Sequence, residues 1–235
     1  MKEEFVMQDI FVQASGGPKW KEGGSGFEVL VKQSRLKFGM LRDCRIVGVA
    51  SNHEQGGVRE RADRLKVPFF YMPPPFSAEQ YQDLVKRFPR CWVSCSGWLK
   101  LIKGLDPTRT FNIHPGPLSD DPTQHFGGKG MYGHHVHEAV MKAYHEGRVA
   151  HSAVCMHFVD ELFDHGKLFF KLPVPIEPDD TPDTLGERVN HQEHIWQPVI
   201  TDLVVHGQIR LTRFGRLIVP EWYKQMPYCP LSAIS

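Results

Sequence analysis

TFNIHPGPLSDDPTQHFGGKG, Thr110 to Gly130, is the stretch from which the fold can be read. Its opening residues form a short apolar-leaning run with the length of a buried strand, and Pro115, Gly116 and Pro117 forbid its continuation. Asn112 and His114 therefore stand at a strand's exit. Because they are two apart, an extended chain aims both side chains to the same side. A neutral hydrogen-bond donor then sits beside a proton carrier at the carboxyl end of a strand, where open α/β sheets bind ligands. By residue type and spacing alone the pair reads first as a turn cap and a satisfied core histidine, so the rest of the chain has to decide.

Upstream, short apolar runs alternate with helical patterns. Residues 9–15 (DIFVQAS) read as a strand, followed by the glycine-rich run from Gly16 to Gly26 and a helix from about Phe27 with apolar positions at Phe27, Leu30, Val31 and Leu36. Strand, glycine loop and helix is the geometry in which backbone amides and a helix amino end hold a phosphate, although a plain connection fits as well; Lys19 and Lys21 tilt the reading toward an anion. A strand at 45–51 leads to a helix at 58–65, a strand at 67–71, a helix at 78–88 and a strand at 91–95. Such alternation predicts a parallel sheet with right-handed crossovers.

Downstream, residues 132–145 read as a helix, 150–159 as a strand, Asp160 to Gly166 as a turn, and 167–174 as an antiparallel partner strand. Thr181 before Pro182 marks the start of a long helix running to Val205, with Leu185, Val189, Trp196, Ile200 and Leu203 on its buried stripe and a bend expected near Pro198. Asn190 and Glu193, three apart, form a polar pair on a neighbouring face. The tail offers only a possible short strand at 216–219.

The chain's 235 residues suit one α/β domain with a substantial core. A formal charge of +1 recruits neither nucleic acid nor an anionic membrane, so a charged ligand must be held by a local pocket. The acidic amino terminus and the lack of any apolar stretch of spanning length point to the cytoplasm. Five cysteines without a CxxC pair read as buried, reduced thiols.

Several separated segments together resemble the folate-dependent formyltransferases, and within that family the members acting on glycinamide ribonucleotide. They are ASGG…GGSGFEVLV (14–31), VASNHEQGGVRERADRLKVP (49–68), SGWLKLI (96–102), FNIHP (111–115), FGGKGMYGHHVHEAV (126–140), HFVDELFDHGKLFF (157–170) and ERVNHQEH (187–194). The resemblance implies a Rossmann-like formyltransferase fold: a mainly parallel twisted sheet, helices on both faces, and an antiparallel strand pair in the C-terminal half. It also implies a single domain, with residues 9–110 holding the ribotide phosphate, residues 111–206 carrying catalysis and folate binding, and 207–235 as a tail.

By the same resemblance, Asn112, His114 and Asp164 do the chemistry of moving a formyl group from 10-formyltetrahydrofolate to a primary amine. Negative charge grows on the formyl oxygen during attack, where the Asn112 amide can donate; His114 donates to it or moves the proton, and Asp164 orients His114 and favours its charged form. Asp164 is chosen over Asp160 and Glu161 because it lies just before the turn's glycine. Gly24, Ser25 and Gly26 match the phosphate cradle, and Asn190 and Glu193 the positions holding ribose hydroxyls. Trp98, Leu101, Ile102, Gly130, His157, Asp160 and Glu161 match the folate side. The chain departs from the family at Gly26, where Asn is common, in a longer loop before it, and at Gly116 to Ser119, where the usual Ser-Leu-Leu-Pro is replaced and an acidic extension follows.

The expected activity is formyl transfer to glycinamide ribonucleotide. An amino-sugar nucleotide as acceptor, or a non-catalytic folate- or nucleotide-binding homologue, are the competing readings. The methionyl-tRNA formyltransferases carry a further carboxyl-terminal domain, for which the tail is expected to be too short. Thirteen histidines raise the question of metal. His134, His135 and His137 crowd one helix start and His191 and His194 lie three apart, yet neither group is an HExxH arrangement and no cysteine pair completes a zinc site, so no metal is expected. Small molecules are the expected partners; oligomeric state is not set by the sequence.

Overall fold

The computed structural model describes residues 6–16 and 23–231. Lys19 and Lys21, expected to assist anion binding, lie outside the described residues. Strands β1 (Gln8–Gln13), β2 (Cys44–Ser51), β3 (Phe69–Tyr71), β4 (Trp92–Ser96), β5 (Thr110–His114), β6 (His151–Phe158) and β7 (Leu168–Pro175) form one sheet in the order β3-β2-β1-β4-β5-β6-β7. Pairing is parallel from β3 through β5, then antiparallel between β5 and β6 and between β6 and β7. This is the expected mixed sheet. The chain leaves β1 toward one edge and returns beside it as β4, so the order reverses between them, and a crevice opens at the carboxyl ends of β1 and β4.

Helices α1 (Ser25–Arg35), α2 (Gly57–Leu65), α3 (Ala78–Val85), α4 (His134–His145) and α5 (Pro182–Val205) connect and cover the strands. The main core joins Ile10 and Val12 of β1 to Phe27, Leu30 and Val31 of α1, Val136 and Val140 of α4, and Leu185, Val189 and Ile200 of α5. On the opposite face a smaller core packs Phe11 and Cys95 against Tyr81 and Leu84 of α3. Neighbouring residues of β1 thus feed different cores, as strand alternation requires. Full burial of Phe27, Leu30 and Val31 is worth about 1.5–3 kcal/mol each, enough to seat α1 despite its three-turn length.

Capping residues set where the helices begin. Ser77 and Gln80 form a reciprocal capping box on α3, and Thr181 with Thr184 does the same on α5, with Pro182 in its first turn. Pro198 is accommodated inside α5 as a buried residue. Differences from the expected boundaries have local causes. β3 starts at Phe69 rather than Val67 because Pro68 has no N–H to give the ladder and contributes only its carbonyl, which accepts from Val49 N at 2.9 Å. α3 ends at Val85, three residues early, and Phe88 beyond it packs its ring against Phe11 and Phe70. The expected tail strand is β9 (Leu217–Ile218), paired with β8 (Arg210–Leu211), and a short helix, α6 (Glu221–Lys224), follows it. All five cysteines are buried, and none forms a disulfide among the described residues. Among the described residues no helix is long and apolar enough to cross a membrane.

Candidate active site

β5 delivers Asn112 and His114 to the crevice, and the turn after β6 brings Asp164 to both. Asn112 Nδ2 lies 3.3 Å from Asp164 Oδ1, and His114 Nδ1 lies 3.7 Å from the same oxygen. His157 enters from β6 in register opposite Asn112, with its Nε2 3.2 Å from Asn112 Nδ2 and 3.4 Å from Asp164 Oδ1. The second carboxylate oxygen of Asp164 accepts from Gly128 N at 2.9 Å. Asp164 itself adopts a left-handed backbone with φ 56°, a conformation that short polar side chains tolerate and most others resist. A tight turn held this way fixes the carboxylate against three polar neighbours.

Burial alone would raise the Asp164 pKa. The contacts with His157 and His114 and the Gly128 amide outweigh it, holding the carboxyl well below the usual range, so it is an anion at neutral pH. For His114 the balance runs the other way. Burial pushes its pKa down, and the opposing pulls of Asp164 and the Phe126 carbonyl do not restore it. Asp164 favours the charged form of His114, yet desolvation of the enclosed ring outweighs a carboxylate 3.7 Å away and the net shift is downward. Orientation also comes from elsewhere, because His114 Nε2 is 2.7 Å from Phe126 O.

A small cavity of about 30 Å³ adjoins this cluster, lined by Trp98, Leu101 and Ile102 on one side and by Asn112, His157, Asp160 and Asp164 on the other. Lys100, Leu162 and Phe163, not singled out in the sequence, also line it. Of the residues expected on the folate side, Trp98 is mostly packed, donating its Nε1–H to Tyr81 Oη at 3.1 Å. Glu161 instead accepts from Gly104 N at 3.3 Å and ties the turn to the neighbouring loop, while Gly130, with φ 91°, lies outside the cavity lining.

The second half of the site lies at the amino end of α1. Gly24 caps the helix in a left-handed conformation with φ 82° and no side-chain cap, so the first-turn amides keep no intrahelical partner and the dipole's positive end points outward. Across from it, α5 places His194 Nε2 3.0 Å from Ser25 Oγ, and Asn190 Nδ2 donates to Glu193 Oε2 at 3.2 Å. Desolvation pushes the Glu193 carboxyl up to about 7, against the weaker opposing effect of Asn190. Burial also lowers the His194 pKa. A Cβ on Gly26 would fall 2.2 Å from Ser96 Oγ and 2.7 Å from Gln197 Oε1, so both side chains would have to turn aside to admit one. His194, Ser96 and Gln197 were not legible as site residues, since only the packing of α5 on α1 and β4 brings them to this helix end.

The histidine-rich helix start is occupied by contacts with carboxylates. His134 Nδ1 lies 3.0 Å from Asp183 Oδ1, and His135 Nδ1 lies 3.3 Å from Glu138 Oε2.

Comparison with known proteins agrees with this layout. A family model described as formyl transferase matches residues 22–201. The chain is 32% identical over 193 residues to "Phosphoribosylglycinamide formyltransferase, chloroplastic" of Arabidopsis thaliana, covering 77% of this chain and 62% of that protein. With the protein of the same name from Vigna unguiculata the identity is 34% over 182 residues, 73% of this chain and 54% of the relative. The chain thus spans less than two thirds of the length of these relatives. Among solved structures, glycinamide ribonucleotide transformylase 1 of Geobacillus kaustophilus superposes with a TM-score of 0.66 at 26% identity, covering 85% of this chain and 99% of that one. The enzyme of the same name from Symbiobacterium toebii gives 0.74 at 23% identity over 93% and 96%, a likeness of fold. With the match running from the glycine loop through α5, the chain belongs to the formyl transferase family.

Proposed function

We propose that this protein transfers the formyl group of 10-formyltetrahydrofolate to the primary amine of glycinamide ribonucleotide, a step of purine synthesis. The observation carrying this reading is the convergence of Asn112, His114 and Asp164 on one carboxylate oxygen at the exit of β5, within 3.3 and 3.7 Å. The relatives' names supply the acceptor, and the uncapped amino end of α1 beside Asn190 and Glu193 supplies a place for a phosphorylated ribose.

In this reading His114 works as a neutral base. Its Nε2–H is donated to Phe126 O, which leaves Nδ1 with a lone pair to receive the proton of the attacking amine; the imidazolium so formed lies beside the Asp164 anion and gives that proton to the folate nitrogen as the bond from formyl carbon to that nitrogen breaks, releasing tetrahydrofolate and restoring the neutral ring. Asn112 donates to the developing oxyanion, a contact typically worth about 3–4 kcal/mol of barrier. The cavity beside this cluster, walled by Trp98, Leu101, Ile102 and Asp160, is the place for the pterin. Five buried cysteines, none in a disulfide among the described residues, support a reducing compartment such as the cytosol.

The test is direct. Purified protein is incubated with the formyl donor and glycinamide ribonucleotide, then with amino-sugar nucleotides, while release of tetrahydrofolate is followed. Turnover with the ribotide is expected. Turnover confined to a sugar nucleotide would replace the acceptor while leaving the mechanism, and turnover with neither would remove the enzyme reading.

A further inference from the structure

Far from the crevice, at the amino end of β2, three different donor types converge. The sulfur of Cys44, a carboxylate oxygen of Asp202 and an imidazole nitrogen of His206 all lie within 4.8 Å of one another. We propose that these three residues form a binding site for a borderline-soft divalent cation, with Zn²⁺ favoured by the sulfur, nitrogen and oxygen donor set.

The geometry supports this beyond proximity. Asp202 and His206 are four apart at the carboxyl end of α5 and so share a helix face, with His206 Nδ1 3.5 Å from Asp202 Oδ1. Bonds of about 2.0–2.3 Å in a tetrahedral shell put ligand atoms about 3.3–3.8 Å apart, so this pair already has the required separation. Cys44 and Asp202 are each only 5% exposed, which gives the site a dry wall, while the partly exposed His206 leaves a path in. Asp202 Oδ1 accepts the Arg42 peptide N–H at 2.8 Å, an outer contact of the kind that orients a ligating carboxylate. The Arg42 guanidinium stands 3.6 Å from Oδ2 on a side chain that is 72% exposed, so it can withdraw into solvent as the cation enters.

Loading is balanced in protons. Cys44 releases its S–H proton to solvent and binds as thiolate, the Asp202 carboxylate binds as it stands, and His206 exchanges the hydrogen bond from Nδ1 to Asp202 O, 2.9 Å long, for the metal by carrying its proton on Nε2 instead. Water completes the shell. Such a bridge would join β2 to the last turn of α5 across more than 150 residues of sequence.

Protein lacking any histidine tag is titrated with Co²⁺, and the near-ultraviolet thiolate-to-cobalt charge-transfer band is followed. A band saturating at one Co²⁺ per chain and displaced by Zn²⁺ is expected. Cys44→Ser should abolish it, and His206→Gln, on a partly exposed position, should weaken binding about tenfold or more. Absence of the band at one equivalent in the unmodified protein, or its survival in Cys44→Ser, overturns the proposal. Should Cys44→Ser fail to fold, unchanged cobalt affinity in His206→Gln overturns it equally. Formyl transfer is read separately and has no part in either outcome.

Discussion

His114 Nε2 lies 2.7 Å from the carbonyl oxygen of Phe126, and that contact settles which ring nitrogen is available to the substrate. A carbonyl can only accept, so Nε2 carries the hydrogen and the neutral ring turns an unprotonated Nδ1 toward Asp164. Burial keeps the ring neutral to a lower pH than an ordinary histidine.

Turnover should accordingly hold as pH falls to 6.5, the ordinary histidine value, and decline only below it as His114 takes up a proton. In Asp164→Asn the strongest opponent of desolvation is gone, so the acid limb should move to still lower pH. The same variant should lose about a hundredfold or more in kcat, because the imidazolium formed during transfer has lost its counter-charge. Acceptor binding, which the proposed function puts at α1 and α5, should survive. The kcat against pH profile of both proteins decides; comparable turnover in the variant means that another carboxylate does this work.

Asn112 has both of its amide hydrogens engaged, one toward His157 Nε2 at 3.2 Å and one toward Asp164 Oδ1 at 3.3 Å. His157 Nδ1 is 2.9 Å from Phe158 O, which makes Nε2 the acceptor of the pair. The amide is thus oriented in advance, and a formyl oxygen gains its donor by displacing one of these partners. Asn112→Ala should lower kcat about 10²–10³-fold with little change in donor affinity. Single-turnover kinetics together with calorimetric binding of a folate analogue separate the two. A loss confined to binding would move Asn112 from the oxyanion to the pterin.

The parallel half of the sheet was legible because its apolar runs are short and several are followed closely by glycine or proline, as at Gly16, Gly97 and Pro115. Asn112 and His114 were legible as a pair because alternation along a strand is fixed by covalent geometry. His157 was read on the folate side, and its place against Asn112 depends on the antiparallel register of β6, which no local pattern states. Asp164 was chosen by its place before a glycine, whereas its left-handed backbone and its bond to Gly128 arise only once the loop from Phe126 folds over the turn. The helix α6, four residues long, carries too little periodicity to be read.

Glu193 is half-buried with its carboxyl near 7, against 4.5 when unfolded. The folded state therefore binds more protons between those values, and this group's contribution to stability is present below 4.5 and is lost as pH rises toward 7. Glu193→Gln should be more stable than the parent at pH 8, by roughly 1–2 kcal/mol after allowance for partial exposure, with no such gain at pH 4. It should also bind the ribotide more weakly, since a ribose hydroxyl then loses a charged acceptor, worth about 1.5–3 kcal/mol. Denaturant melts at the two pH values and the acceptor KM check both; a variant destabilised at pH 8 contradicts the desolvation argument.

Gly26 occupies the position where the family resemblance leads one to expect Asn, and the packing explains why Asn cannot simply be restored. Any Cβ at 26 meets Ser96 Oγ at 2.2 Å and Gln197 Oε1 at 2.7 Å, and Ser96 and Gln197 are themselves 3.3 Å apart and buried. Both are buried, Ser96 on β4 and Gln197 on α5, so turning them aside disturbs their packing. Gly26→Ala should therefore destabilise the fold by about 1–3 kcal/mol despite the better helix propensity of alanine. Removing the nearer obstacle with Ser96→Gly should recover much of that loss when the two changes are combined. A double-mutant cycle in urea measures this as a coupling of about 0.5–3 kcal/mol. Additive effects would mean that Gly26 is kept for another reason, such as close approach of the acceptor's phosphate to the amide of α1.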